Sequence, residues 1–172
     1  KSIIKIEPNF VDAHYHLGLS YYRKAKFDKA ITSLKRVLEL SPRDLDVWIK
    51  LGIAYYKKGD FDQAVEAYQE AIKIEPKNIE VLNNLGMAYD ELSCFDEAIL
   101  VYQSALKIHP DHPQILSNLS VAQDLKFGKY SLKAYRHYRR GQDYLNGNQF
   151  ERAITEWKLA IAESSTYTHV YL

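Results

Sequence analysis

One motif returns at a fixed interval along this chain. Leu17-Gly18-x-x-Tyr21 reappears as Leu51-Gly52-x-x-Tyr55 and again as Leu85-Gly86-x-x-Tyr89, followed in step by Ala30, Ala64 and Ala98 and by Pro42, Pro76 and Pro110. A constant period of about 34 residues marks a stacked array, in which no unit can bury its apolar face alone and each neighbour supplies the cover. The period therefore decides the class of fold before any finer reading.

Within one period the spacing predicts a pair of helices. Trp48, Leu51, Ile53, Ala54 and Tyr55 recur at helical intervals as far as Gly59, and Ala64, Val65, Tyr68, Ala71, Ile72 and Ile74 do so again. Gly52 and Ala64 are small where the two helices should cross, since a larger side chain would hold the backbones apart. Trp48, Tyr55 and Tyr68 are expected to fill the space around that crossing. Pro76 has no backbone donor and cannot extend the helix ending near Ile74, so it starts the turn into the next unit. Asp62 and Asp96 fall where a second helix begins, suiting its positive end.

Through Trp48, Leu51-Gly52, Tyr55, Gly59, Phe61, Ala64, Tyr68, Ala71 and Pro76, the chain resembles the tetratricopeptide repeat family. The resemblance implies an all-α, right-handed superhelical solenoid of antiparallel helix pairs. Repeats are expected at 11–44, 45–78 and 79–112, with a half repeat or connector helix at 113–133 and a degenerate repeat at 134–167. Residues 1–10 read as the end of a preceding repeat and 168–172 as the start of a further one, all within one solenoid domain. The first repeat departs from the pattern at His14, Ala25 and Leu34, which stand for the Trp, the turn Gly and the second-helix Tyr. The third departs at Leu82 and Ser93. Arg140 occupies the slot of Leu17, Leu51 and Leu85, so that face of the degenerate repeat should not be buried in the usual way.

Composition narrows the function. No apolar run approaches the length of about 18 residues that a membrane-spanning helix needs, so no transmembrane segment is expected. Cys94 is the single cysteine, which excludes an internal disulfide and a cysteine metal cluster. Acidic Asp90, Glu91, Asp96 and Glu97 surround it, a setting that suits a tolerated turn residue better than a reactive thiol. There is no phosphate-binding glycine loop, no nucleophile elbow and no paired-histidine zinc helix. No catalytic residue, metal site or cofactor is expected, and the chain reads as a non-enzyme.

Charge is segregated although the net value is +1. The segment 79–112 carries one basic and six acidic side chains, between 1–44 with nine basic against five acidic and 113–172 with eight against five. The densest basic stretch, Lys126 to Arg140, interleaves Phe127, Tyr130, Tyr135 and Tyr138, a pattern that can serve single-stranded nucleic acid or a membrane surface. The same tyrosines fit helix packing and the chain as a whole is not basic, so nucleic acid is disfavoured as a partner.

Function in such an array lies on the concave surface lined by the first helix of each repeat. By the resemblance, the peptide-binding groove should include Tyr15, Leu19 and Tyr22, then Ile49, Lys50, Ile53 and Tyr56, then Asn83, Asn84 and Met87, and finally Asn118 and Val121. Leu19, Ile53, Met87 and Val121 recur once per period and would form an apolar stripe. Asn84 and Asn118 would form a short amide ladder able to donate to and accept from an extended backbone. The resemblance thus implies a protein–protein interaction scaffold or adaptor that takes a peptide or partner protein in its groove. The alternatives are a substrate-recruiting module of a larger enzyme and a self-assembling structural repeat. Localisation is undetermined. The cytoplasm is favoured, with periplasmic or membrane-associated placement left open by a start that falls inside a repeat.

Overall fold

The computed structural model describes residues 10–168, and among these every regular element is a helix. The helices are α1 (Val11–Arg23), α2 (Phe27–Leu40), α3 (Leu45–Lys58), α4 (Phe61–Ile74), α5 (Ile79–Glu91), α6 (Phe95–Ile108), α7 (Pro113–Lys126), α8 (Leu132–Asn146) and α9 (Phe150–Thr168). The segments read as the end of a preceding repeat, up to residue 9, and the start of a further one, from residue 169, lie outside the described residues. Two compact units are distinguished, with their boundary between Leu119 and Ser120 inside α7.

In the N-terminal unit α1 pairs with α2, α3 with α4 and α5 with α6, while α2 packs on α3 and α4 on α5. This is the all-α solenoid of helix pairs expected from the period. Each pair closes where the glycine of the Leu-Gly motif meets one side chain of the second helix. A Cβ placed on Gly52 would lie 2.5 Å from Tyr68 Cε1, and one on Gly86 would lie 2.4 Å from Tyr102 Cε1. Gly18 meets Leu34 in the same way, at 2.9 Å from Cγ. The Tyr68 and Tyr102 side chains are almost wholly buried, at 2% and 0% exposure, so they have no room to withdraw. Ala30, Ala64 and Ala98 are fully buried beside these contacts.

The turns explain the rest of the period. Ala25, Gly59 and Ser93 all adopt positive φ, at 51°, 92° and 62°. The next residue's N–H then donates back to the carbonyl of the motif tyrosine: Lys26 to Tyr21 at 2.9 Å, Asp60 to Tyr55 at 3.0 Å and Cys94 to Tyr89 at 2.9 Å. That satisfies a carbonyl the helix end would leave without a partner. At the opposite end, the side chains of Asp44 and Asn78 cap α3 and α5 by accepting from Val47 N and Val81 N, at 3.2 and 3.0 Å. Trp48 adds a tie of its own, its indole N–H donating to the Pro42 carbonyl at 2.9 Å.

In the C-terminal unit α8 and α9 form a hairpin built on the same contact. A Cβ on Gly141 would lie 2.2 Å from Trp157 Nε1, and the turn again uses positive φ, at Asn148. Arg140 is exposed, as its place in the leucine slot suggested, and pairs with Glu156 at 3.3 Å.

Two outcomes follow for stability. Gly52→Ala should lower it by about 1–3 kcal/mol, because the added methyl overpacks a buried ring; a denaturant midpoint unchanged from wild type would contradict this. Ala25→Gly and Ser93→Gly should each raise stability by about 0.5–1 kcal/mol by relieving a left-handed conformation that costs a Cβ-bearing residue more than glycine. Chemical unfolding of the two variants checks the sign.

Candidate functional site

The first helices α1, α3 and α5 touch in succession, and hydrogen bonds link them. The Tyr15 hydroxyl on α1 donates to the Asp46 carboxylate on α3. That bond, with the carboxylate's charge, pushes the Tyr15 ionisation up to about 12, so the hydroxyl stays a donor throughout the neutral range. On α3, the Tyr56 hydroxyl donates to Glu91 Oε1 at 3.2 Å on α5. Asn118 Nδ2 on α7 donates to Asn83 Oδ1 at 2.8 Å. Each of these links joins one first helix to the next and fixes the spacing between them.

Four of the expected groove residues come together in one recess of about 250 Å³. It is lined by Leu19, Tyr22 and Arg23 of α1, Leu34 of α2, and Lys50 and Ile53 of α3. Lys50 lies 3.6 Å from Asp46. Arg23 is exposed and has no ion-pair partner among the described residues. Burial raises the ionisation of Tyr22.

The other expected residues are distributed differently. Tyr15, Ile49 and Asn83 share one register position in successive repeats; Ile49 and Asn83 are buried, whereas Tyr15 is half-buried. Asn83 uses both ends of its amide, accepting from Asn118 and donating to Met87 Sδ at 3.5 Å. Asn118, the equivalent of Asn84 one repeat later, gives one amide N–H to Asn83. Asn84, Met87 and Tyr56 are half-buried, and α5 adds the carboxylates of Glu80, Asp90 and Glu91 with no basic residue. Tyr102 donates to Asp90 Oδ2 at 2.8 Å.

Val121 belongs to the C-terminal unit. There it lines a second recess, of about 330 Å³, with Tyr130, Ala134, Tyr135, Tyr138, Ala160, Ile161 and Ser164. The interleaved tyrosines of the basic stretch therefore serve as the wall of an apolar hollow. Two of its lysines are paired with acids, Lys129 with Asp124 at 3.2 Å and Lys133 with Glu163. Phe127 is 81% exposed. Cys94 sits at the start of α6, half-buried and with its thiol 3.8 Å from the Leu92 carbonyl.

Of the residues lining this recess, sequence reasoning placed Leu19, Tyr22, Arg23, Lys50 and Ile53 on the inward face but not Leu34. The signal for Leu34 was present as the missing second-helix tyrosine. Among the described residues, no group of acidic, histidine or cysteine side chains is placed to hold a metal ion, and no helix is long and apolar enough to cross a membrane.

Similarity to known proteins follows the same lines. No curated protein sequence matches the chain. Among solved structures, a crystal structure of MamA superposes with a TM-score of 0.67 at 21% identity, covering 98% of this chain and 86% of that one. The first TPR of Spaghetti (RPAP3), bound to the HSP90 peptide SRMEEVD, superposes with a TM-score of 0.62 at 18% identity, covering 66% of this chain and 90% of its own. The second TPR domain of human RPAP3, in complex with the HSP70 peptide SGPTIEEVD, gives 0.60 at 18% identity, covering 66% and 98%. The TPR repeat model matches residues 21–59 and 54–93, and the tetratricopeptide repeat model matches 79–112. These matches run through more than half of the sequence, over the Gly52 and Gly86 contacts and the turns at Ala25, Gly59 and Ser93, and the chain belongs to the tetratricopeptide repeat family.

Proposed function

We propose that this chain is a protein-interaction scaffold that binds an extended peptide or partner segment along the first-helix face of its N-terminal unit, and that it acts by binding and not by catalysis. The observation that carries this reading is the recess between α1 and α3. Its walls are apolar and its rim carries cations, the combination expected of a site that anchors one side chain and orients a chain by charge. Half-buried Tyr56, Asn84 and Met87 extend the same face toward α5 with further apolar and amide surface. The hydrogen bonds between first helices support it by holding the face in one arrangement before a ligand arrives, which lowers the ordering cost of binding. The two RPAP3 domains of the same fold are seen with peptides bound, so the architecture is compatible with this use.

The proposal makes Ile53 and Met87 contact residues. A carboxylate placed at either would be desolvated by an apolar ligand side chain at substantial cost. Pull-downs from native extract should retain a partner on the wild-type chain and lose it on the Ile53→Asp, Met87→Asp double variant, with helicity by circular dichroism unchanged. Equal capture by both chains would move the binding surface off this face.

A further inference from the structure

The recess at α1 and α3 exists because of one departure from the repeat pattern. In the second and third repeats a tyrosine, Tyr68 or Tyr102, lies against the motif glycine; in the first the same contact is made by Leu34. The Tyr102 ring shows where the longer side chain goes, since its hydroxyl reaches Asp90 at 2.8 Å. Asp90 holds in the third repeat the place that Tyr22 holds in the first, two periods earlier. A tyrosine at position 34 would therefore run into the space beside Tyr22. Leu34 stops short of it, and that space is the recess.

Three features then set what the recess can take. Its floor and sides are Leu34, Leu19 and Ile53, which favour an unbranched or γ-branched aliphatic side chain over a polar one. Its rim carries Arg23 and Lys50. Lys50 shares its charge with Asp46, whereas Arg23 has no ion-pair partner among the described residues and presents a planar fork suited to a carboxylate. Carboxylates are gathered further along the first-helix face, on α5, where Glu80 and Glu91 would repel an acidic ligand. Charge therefore places the acidic part of a ligand at α1 and α3.

We infer that the recess opened by Leu34 is a specificity pocket for a peptide carrying a leucine- or methionine-sized side chain next to an aspartate or glutamate, with the aliphatic group on Leu34 and the carboxylate on Arg23. The inference rests on the reading of this face as a peptide-binding surface and names the ligand class for it.

The test uses a library of random nonapeptides displayed on phage and selected on the whole chain, with the best-enriched peptide then titrated by fluorescence anisotropy. Wild type should enrich Leu or Met beside Asp or Glu. Leu34→Tyr copies the residue already packed on glycine in the next two repeats, so its melting temperature should not fall. It should bind the selected peptide at least about tenfold more weakly. Arg23→Glu should weaken the acidic peptide similarly and, when selected afresh, enrich Lys or Arg at the acidic position. Peptides enriched without the aliphatic–acidic pair, or bound equally by Leu34→Tyr and Arg23→Glu, would overturn this inference and leave the peptide-binding reading standing. Absence of any enriched peptide on the wild-type chain would overturn both.

Discussion

The close approach of two helices at a glycine is the constraint on which the rest of this structure depends. Gly18, Gly52, Gly86 and Gly141 each bring a backbone against a side chain of the following helix, Leu34, Tyr68, Tyr102 and Trp157, with no room for a methyl group between them. Interiors packed to crystal density pass such a constraint outward. Because the glycine lets the pair close, the second helix can reach the next first helix, and successive first helices come near enough to be joined by Tyr15 with Asp46 and Tyr56 with Glu91. The ligand-facing surface is a consequence of that spacing. The side chain lying on the glycine also decides how much of that surface stays open, so one contact sets both stability and pocket shape.

The parts of the fold dictated by backbone chemistry were readable in the sequence. Glycine at the crossing and proline beyond the second helix each answer a local demand that few residues can meet. The turns were harder to read. Ala25 and Ser93 replace the glycine expected there, yet the backbone takes the left-handed conformation regardless. The paired helices on either side leave the turn no other closure, so tertiary packing overrides the residue's own preference.

The candidate site was readable only in part, because helical periodicity assigns a residue to a face without saying what stands opposite. Leu19 and Ile53 recur one period apart and share the recess, but Val121, in the same register, lines a hollow in the C-terminal unit. Ile49 and Asn83 hold a position that packing between first helices buries. Asn118 donates one amide N–H to Asn83, a contact that its spacing from Asn84 did not announce. Lys129 and Lys133 read as free cations until Asp124 and Glu163 are seen beside them. Conversely, the loss of a tyrosine at Leu34 looked like repeat degeneracy in the sequence. Its consequence appears only when Tyr102 shows where the missing ring would have extended.

The most direct measurement is methyl nuclear magnetic resonance of the whole chain during titration with a peptide it selects. If recognition lies between α1 and α3, the shifts that move first and furthest belong to Leu19, Leu34 and Ile53, while the Ile154 and Ile161 methyls in the C-terminal unit keep their positions. Shifts concentrated on Ile154, Ile161 and Val121, with Leu34 unmoved, would place recognition in the C-terminal unit and contradict the account.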